Sequence, residues 1–496
     1  MRRDKRIENG MSEECVAVTG ADEPSVKRTW RDRLPAIPLT FLGLGIYRAW
    51  IEIVFVGSFV HYPAATFTLR DTFDFTTSGM LLICMLLAKR IGPLYRRKPV
   101  FVASAVMLTL STCGMFASIW APEYASLLGL PCALLGGAGI GFTILLWSEL
   151  YGCLNPLRVA MYYSASIIVG ALVIYIFEGF KLPWLFTLTM LLPLISLALV
   201  RHSFGQLPKA ELPSTTWVRF SVPWKAVLMM ALYAFAYGTL EQPLYSSFFG
   251  PHSAPGTVIV ACVVFGGVLM LGDKFDFNII YRMALPLMIV ALLIIPSLGF
   301  SGAAVSNLCI SGGYTAMAIL IMLICSNICY RYGVSAVWLF GIERGVRILL
   351  MCLGRMLSWA AGTFALGAID GTYVVGAIGI CAVLGGTLVF LSERDLSSRW
   401  GATFLDQTAA TREIVQKQEV ADRCHALASE YGLTTRESEV LLLLAQHKTV
   451  GIIERELFIA NGTAKAHIRH IYQKLDIHSR EELFEKLAID GLQPLD

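Results

Sequence analysis

The chain has 496 residues, of which 56% are hydrophobic and 15% charged, and its mean hydropathy is +0.63. A soluble chain of this length would carry roughly a quarter of charged residues, so the composition excludes an ordinary soluble enzyme, a disordered protein and a disulfide-stapled secreted domain. The 40 basic and 36 acidic residues give a net charge of only +4, which does not by itself indicate a nucleic-acid partner.

The first 34 residues are polar and mixed in charge, and several basic residues precede the first apolar run. A cleavable signal peptide would have its apolar segment close to the start of the chain. Residues 1–34 are therefore predicted to form a cytoplasmic N-terminal tail.

Residues 35–391 alternate apolar stretches with short polar or Pro/Gly-marked breaks. A helix that crosses a bilayer core of about 30 Å needs roughly 20 residues. Twelve stretches fit, which predicts an all-α, twelve-span membrane domain: 38–60, 72–88, 99–119, 124–147, 158–178, 182–200, 224–242, 256–271, 282–300, 304–326, 336–361 and 372–391. Most cysteines lie inside these stretches and are predicted to pack as small apolar residues, so no metal site is expected.

The distribution of Lys and Arg among the loops predicts the orientation of these spans. Thirteen such residues lie in the loops that follow even-numbered spans, and only Arg70 and Lys181 lie in the others. Basic residues are enriched in cytoplasmic loops. This asymmetry places both termini of a multi-pass membrane protein in the cytoplasm, which agrees with an even number of spans.

The longest internal break, 201–223, divides the spans into two groups of six. This arrangement resembles the major facilitator superfamily, which pairs two six-helix halves. The loop from Lys89 to Lys98 is similar to that family's Gly-x-x-x-Asp-Arg-x-Gly-Arg-Arg/Lys loop at Arg90 and Gly92. It departs from the pattern at Met85 and Lys89, and it can equally be interpreted as a basic anchor that obeys the positive-inside rule.

Ionisable residues inside spans are costly and are usually functional or paired. Arg48 and Glu52 are four residues apart in the first span, and Glu343 and Arg347 repeat this spacing in the eleventh, which allows an ion pair on one helix face. We consider two roles for these charges, a structural ion pair or the lining of an anion-binding cavity between the halves. The candidate ligand-binding residues are Arg48, Glu52, Arg344 and Arg347. The carboxylates near span ends, Glu149, Glu178 and Glu241, are expected to reach water by snorkelling.

After residue 391 the composition becomes charged and no further span follows. Within the predicted linker, residues 392–430, and at its end, Val420, Cys424, Leu427 and Tyr431 form one apolar stripe of a helix. The stripe can dock on its own domain or pair with a second copy of the chain.

Residues 431–496 form the predicted C-terminal domain, and four short helices are expected there. Thr434 and Glu437 form a capping box ahead of an apolar run, and Ser479 and Glu482 repeat the pattern. A second helix is predicted from Val450 to Leu457, and a third starts near Asn461.

This region resembles the LuxR/GerE-type helix-turn-helix family over about 55 residues. The resemblance rests on the following residues: Leu433, Thr434, Arg436, Glu437, Glu439, Val440, Leu441, Leu457, Ile459, Thr463, Lys465, His467, Ile471, Tyr472, Lys474, Leu475 and Arg480. The chain departs from the family at His447, in the second helix from Thr449 to Glu454, and at Ala464.

The third helix fits DNA binding on its own chemistry, since residues 461–474 carry cations and no carboxylate. The resemblance implies that the N-terminal half of this helix enters the major groove. Lys465, Ala466 and Arg469 would then face base edges, and Thr463 and Lys474 would lie closer to phosphates. His467 could pack, contact phosphate or read a base. Family members bind as dimers, which implies a homodimer on DNA.

The sequence contains no recognisable catalytic constellation, and neither an enzyme activity nor a cofactor is predicted. We therefore predict a membrane-bound, one-component bacterial transcriptional regulator that binds double-stranded promoter DNA. Its membrane domain, embedded in the lipid bilayer, would sense a small-molecule ligand or a membrane signal. The alternative is a major-facilitator-like transporter that also reports its substrate to DNA. A transporter with a non-binding helix-turn-helix is disfavoured by the intact third helix.

Overall fold

A computed structural model describes residues 38–57, 60–63, 67–207, 211–213, 222–245, 250–271, 275, 278–363, 371–390, 420–421, 423–446 and 448–487. The predicted N-terminal tail, most of the linker and the departure at His447 lie outside the described residues. Over these ranges the chain is helical without strands, which confirms the predicted all-α class.

Eleven helices form the membrane domain: α1 (Leu44–Ile51), α2 (Phe67–Ile91), α3 (Lys98–Trp120), α4 (Ala125–Tyr151), α5 (Pro156–Glu178), α6 (Leu182–Gln206), α7 (Trp224–Tyr245), α8 (Pro255–Leu271), α9 (Asn278–Tyr332), α10 (Ala336–Thr363) and α11 (Gly371–Phe390). The first span also includes a 3₁₀ turn at Leu39–Leu42 before α1 and a π-helical turn at Glu52–Val56 after it. All twelve predicted stretches coincide with helix.

Two predicted spans fall within α9, whose 55 residues would be about 80 Å long if the helix were straight. The chain instead reverses inside this element. The hydroxyl of Ser306 donates a hydrogen bond of 2.9 Å to the carbonyl oxygen of Ala291, fifteen residues earlier. In a straight helix these residues would be separated by about 22 Å along the axis. The segment therefore contributes two packed arms, as the sequence predicts.

Seven helices in the described part of the chain are long and apolar enough to cross a membrane, and three shorter apolar helices accompany them. Many side chains on their outer surface are large, apolar and exposed, among them Leu86, Leu127 and Met270. A surface of this kind is stable against lipid, not water. The chain is a membrane protein.

Glycines allow some helices to approach backbone to backbone. A Cβ atom added at Gly238 of α7 would lie 2.1 Å from the carbonyl oxygen of Met351, and one added at Gly354 of α10 would lie 2.2 Å from that of Phe235. Small residues at such crossings give close van der Waals contact where lipid offers no hydrophobic driving force. The α7–α10 contact thus depends on both glycines.

The C-terminal domain contains α12 (Thr435–Ala445), α13 (Val450–Leu457), α14 (Asn461–Leu475) and α15 (Arg480–Lys486). The helix starts follow the predicted caps, since Thr434 and Glu437 form a capping box and the Ser479 hydroxyl accepts from the amide of Glu482. Helical residues 423–430 also belong to this domain. Val420 and Cys424 are buried in its core, with Leu427 and Tyr431 packed beside them, so the stripe docks on its own domain.

We expect Gly238→Ala and Gly354→Ala to separate α7 from α10 and to destabilise the protein by about 1–3 kcal/mol each, as overpacking does. The measurement is the thermal midpoint of the full chain in detergent. Gly266→Ala in α8 is the matched control, because a Cβ atom there meets no other atom within 4 Å. An unchanged midpoint for both α7 and α10 variants would show that this crossing is loosely packed.

Candidate DNA-binding helix and membrane-domain contacts

The third helix of the C-terminal domain, α14, follows a sharp turn. Phe458 ends α13 in the left-handed conformation, with φ 52°, and only Ile459 and Ala460 separate it from α14. Ala460 occupies the N-cap position and has no side-chain oxygen to cap the helix. The first amide groups of α14 therefore lack a side-chain cap at the end of the helix where an anion is favoured.

The predicted DNA-contacting side chains lie mostly on the surface of α14. Thr463, Lys465 and Arg469 are exposed, and Ala466 and His467 are half-buried. Lys465 and Arg469, one helical turn apart, both line an open groove of about 520 Å³ on this helix. The structure thus brings the two cations together on one accessible side, as groove recognition requires. Their base or phosphate contacts stay predictions.

Lys474 has partners inside the domain. Its Nζ atom lies 2.7 Å from a carboxylate oxygen of Glu437 and 3.1 Å from the carbonyl oxygen of Gly432. Burial by itself would raise the pKa of Glu437, but hydrogen bonds from Lys474 and from the backbone and side chain of Thr434 lower it. A phosphate contact by Lys474 would have to compete with this pair.

Two further residues of the family motif also hold the domain together. Arg436 donates to the carbonyl oxygen of Leu457 and pairs with Glu439 at 2.6 Å. Arg480 donates to the carbonyl oxygens of Leu444 and Lys448, at 3.1 and 3.2 Å. These bonds satisfy the carbonyl groups of Leu444 and Leu457 at the ends of α12 and α13, and they join α12 to α13 and α15 to α12.

The membrane domain contacts the end of α13 directly. The side chain of Asn155 caps α5 by accepting from the amide of Arg158, and its Nδ2 atom donates to the carbonyl oxygen of Glu456 at 2.7 Å. Arg158 donates to the carbonyl oxygen of Arg455 at 2.8 Å. The last carbonyl groups of a helix need partners, and here the membrane domain supplies them.

An aromatic residue completes this contact. Phe458 packs against the apolar core of the membrane domain, with the Arg158 guanidinium 5.0 Å from its ring centre. On the other half of the bundle, the Tyr330 hydroxyl at the end of α9 lies 3.3 Å from the buried Glu456 carboxylate. We call this set the docking contact: Asn155, Arg158, Tyr330, Glu456 and Phe458. It joins the turn before α14 to both six-helix halves.

The predicted pair of Arg48 and Glu52 does not form. Glu52 begins the π-helical turn, and its carboxylate accepts from the hydroxyl of Ser253 and the amide of His252 instead. The equivalent pattern in α10 does form, with Arg347 3.6 Å and Arg344 3.3 Å from the carboxylate of Glu343. The four-residue spacing is thus a reliable sign of pairing only where the helix is regular.

A buried charge network at the opposite end of the bundle from the docking contact was not predicted. Arg355 of α10 lies 2.6 Å from both Asp74 and Glu241 and 2.8 Å from Asp71. Arg70 lies 2.7 Å from Asp74 and 3.2 Å from Glu241. The network links α2 of the first half to α7 and α10 of the second. The four-residue spacing of Arg70 and Asp74 was the one feature of the sequence from which part of this network could have been predicted.

Two carboxylates expected to reach water are buried instead. Glu241 is fully buried in this network. Glu149 is 2% exposed and accepts from the amides of Leu94 and Tyr95 at 2.8 and 2.9 Å. Partners inside the protein replace water for both groups, because a buried carboxylate without them would be very costly.

Comparison with known proteins identifies the C-terminal domain. Residues 432–487 match the family described as GerE, bacterial regulatory proteins of the luxR family. The chain is 44% identical over 59 residues to the spore germination protein GerE of Bacillus subtilis, covering 12% of this chain and 80% of that protein. It is 48% identical over 50 residues to the transcriptional regulatory protein LiaR of the same organism, covering 10% of this chain and 24% of that protein.

A putative HTH-type transcriptional regulator of Aeromonas salmonicida is 36% identical over 80 residues, covering 16% of this chain and 41% of that protein. The chain thus spans less than half the length of this relative and of LiaR.

The membrane domain is similar to solved transporter structures. A human organic anion transporter matches with a TM-score of 0.46 and 13% identity, covering 72% of this chain and 99% of that one. The fucose:proton symporter of Escherichia coli matches with a TM-score of 0.44 and 14% identity, covering 71% and 96%.

The low pKa of Glu437 predicts acid sensitivity of the α12 cap. Because the pKa is lowered in the folded domain, its stabilisation is present above the ordinary value of 4.5 and is lost as pH falls through the folded pKa. We expect Glu437→Gln to cost about 1–2 kcal/mol at neutral pH and to reduce the pH dependence. Hydrogen exchange of α12 in the full chain measures this, with the exposed Glu481→Gln as control. Equal protection in wild type and Glu437→Gln at neutral pH would contradict it.

Proposed function

Because the chain belongs to the LuxR family of bacterial regulatory proteins, we propose that it is a membrane-bound, one-component transcription regulator. Its exposed α14 cations would bind promoter DNA, and its membrane domain would control that binding. In this proposal the protein lies in the bacterial inner membrane with both termini in the cytoplasm, and it binds DNA as a homodimer. One recognition helix alone makes too few contacts for a useful specificity ratio.

The docking contact is the observation that supports control of DNA binding by the membrane domain. Phe458 packs against the membrane-domain core only three residues before α14 begins. A change in the membrane domain at Asn155, Arg158 or Tyr330 therefore acts directly on the turn that orients α14. This route does not pass through the linker, residues 392–430.

The docked form would exclude DNA. A duplex that receives the N-terminal half of α14 in its major groove, about 12 Å wide, places a phosphate backbone on each side of that helix. The turn 458–460 lies directly before this helix, and in the docked form Phe458 packs against the membrane domain. Thr463, Lys465 and Arg469 are exposed, so in this proposal it is the nearby membrane domain that would keep a duplex from seating on α14.

Movement of the two halves relative to each other would release the C-terminal domain from the membrane domain. The docking contact joins Arg158 of the first half to Tyr330 of the second. Glu456 weakens the contact, because its second carboxylate oxygen is buried without a hydrogen bond. A ligand that binds one arrangement of the halves more tightly shifts the balance between docked and released forms by that difference in affinity.

For DNA binding, we expect Lys465→Ala and Arg469→Ala each to reduce affinity for the promoter site by about 10- to 100-fold, since a base contact contributes roughly 1–3 kcal/mol. Mapping the genomic DNA bound by the tagged protein supplies the site, and fluorescence anisotropy of the purified chain measures affinity. Ser429→Ala is the control, because Ser429 is exposed on the helix before α12 and does not line the groove of Lys465 and Arg469. Normal affinity and membrane insertion in both cation variants would refute the assignment.

For docking, Asn155→Asp keeps the oxygen that caps α5 but removes the donor to Glu456 and adds a negative charge beside it. Arg158→Gln removes the guanidinium from Phe458. We expect both variants to release the C-terminal domain and to bind promoter DNA several-fold more tightly than wild type. Arg331→Gln, exposed next to Tyr330, should leave affinity unchanged. Unaltered or weaker DNA binding by both docking variants would contradict the inhibitory role.

A further inference from the structure

We propose that the membrane domain binds a small carboxylate between its two halves, at a site formed by Arg48 of α1 and by Arg344 and Arg347 of α10. This inference rests on the proposed function, for which it specifies the chemical class of the signal. The site is distinct from the network around Arg355, in which each carboxylate has an arginine partner.

The three arginines converge on shared aromatic neighbours. Tyr47 of α1 and Tyr163 of α5, both buried, lie within electrostatic range of all three guanidinium groups. Tyr314 of α9 lies within range of Arg344 and Arg347. Because α1 and α5 belong to the first half and α9 and α10 to the second, the site is made by both halves together.

These guanidinium groups are poorly satisfied. Arg344 and Arg347 are 7% and 6% exposed. The Nε atom of Arg347 is buried without a hydrogen-bond partner, and the Nε atom of Arg344 has only the ion pair with Glu343 at 3.3 Å. A second donor of Arg344 faces the sulfur of Met322 at 3.4 Å, which is a weak acceptor. No hydrogen bond or ion pair reaches Arg48 within the part of the chain that the structure describes. Each buried donor left unpaired costs free energy.

The local charge balance is also incomplete. Glu343 is the one carboxylate paired with Arg344 and Arg347. Glu52, near Arg48, already accepts from Ser253 and His252. A positive excess away from water is expensive unless an anion joins it.

A carboxylate fits this arrangement. Guanidinium groups bind it through two parallel hydrogen bonds, and the free Nε donor of Arg347 is suited to that geometry. The tyrosine rings provide apolar surface for the body of an organic acid. A ligand that touches α1 and α10 at once favours one arrangement of the two halves. The docking contact depends on this arrangement, because it includes residues of both halves.

The test uses the full chain purified in detergent at constant ionic strength, with four probes and inorganic phosphate. Benzoate and acetate are the carboxylates, and benzamide and acetamide are their neutral counterparts. Binding is measured by calorimetric titration and by the thermal midpoint. We expect saturable binding of at least one carboxylate and none of its amide, and at least a 10-fold loss of affinity in Arg48→Gln.

Arg48→Gln is the primary variant because Arg48 is half-buried and has no hydrogen bond or ion pair with the residues that the structure describes. If Arg344→Gln fails to fold, the neutral double variant Glu343→Gln/Arg344→Gln replaces it and should also lose carboxylate binding. Equal binding of the amide, unchanged affinity in Arg48→Gln, binding of phosphate alone, or no saturable binding would each overturn the proposal. Unliganded Arg48→Gln should bind promoter DNA normally, so loss of the ligand alone would leave the regulatory function standing.

Discussion

Arg158 occupies the position on which the regulatory interpretation of this structure depends. Its guanidinium group holds a carbonyl oxygen at the end of α13 and covers the ring of Phe458, while its own amide is capped by Asn155. One short segment at the start of a membrane helix therefore fixes the turn ahead of α14. Sequence-distant parts of the chain, about 300 residues apart, are joined here by a few polar bonds and one aromatic side chain.

The membrane domain satisfies its buried charges unevenly. At the end far from the docking contact, two arginines and three carboxylates link α2 to α7 and α10. Removing one partner from such a buried set typically costs about 3–5 kcal/mol, so this end holds the halves firmly together. Nearer the middle, Arg344 and Arg347 share one carboxylate, Glu343, and the Nε atom of Arg347 has no hydrogen-bond partner among the described residues. The paired network around Arg355 is suited to holding the structure together. The incompletely paired arginines are suited to ligand recognition.

Local patterns predicted local structure well. The twelve apolar stretches each overlap a helix of the described chain, seven of whose helices are long and apolar enough to cross a membrane. Capping residues such as Thr434 and Ser479 located the helix starts of the C-terminal domain. Long-range pairing was not predictable in the same way. The partners of Glu52, Glu149 and Glu241 are more than 50 residues away in sequence. Spacing along a single helix carries no information about such partners, and the π-helical turn removed even the local pair at Glu52.

The basic residues of the C-terminal domain fall into two groups, those bound within the domain and those exposed on its surface. Arg436, Lys474 and Arg480, all part of the family motif, are bound to carbonyl or carboxylate groups of the domain itself, while Lys465 and Arg469 point outward. The family motif thus contains residues that stabilise the fold as well as residues available for binding, and the contacts in the structure distinguish the two groups.

Ala460, at the N-cap position of α14, affects how firmly the first turn of this helix is held. With no side-chain oxygen ahead of Asn461, the opening turn of α14 is less firmly held than its interior. A nucleic-acid phosphate placed there would accept the hydrogen bonds that the protein leaves unmade. Rigidity of this turn would then be partly a property of the proposed DNA complex, in which a phosphate supplies the N-terminal cap that Ala460 does not.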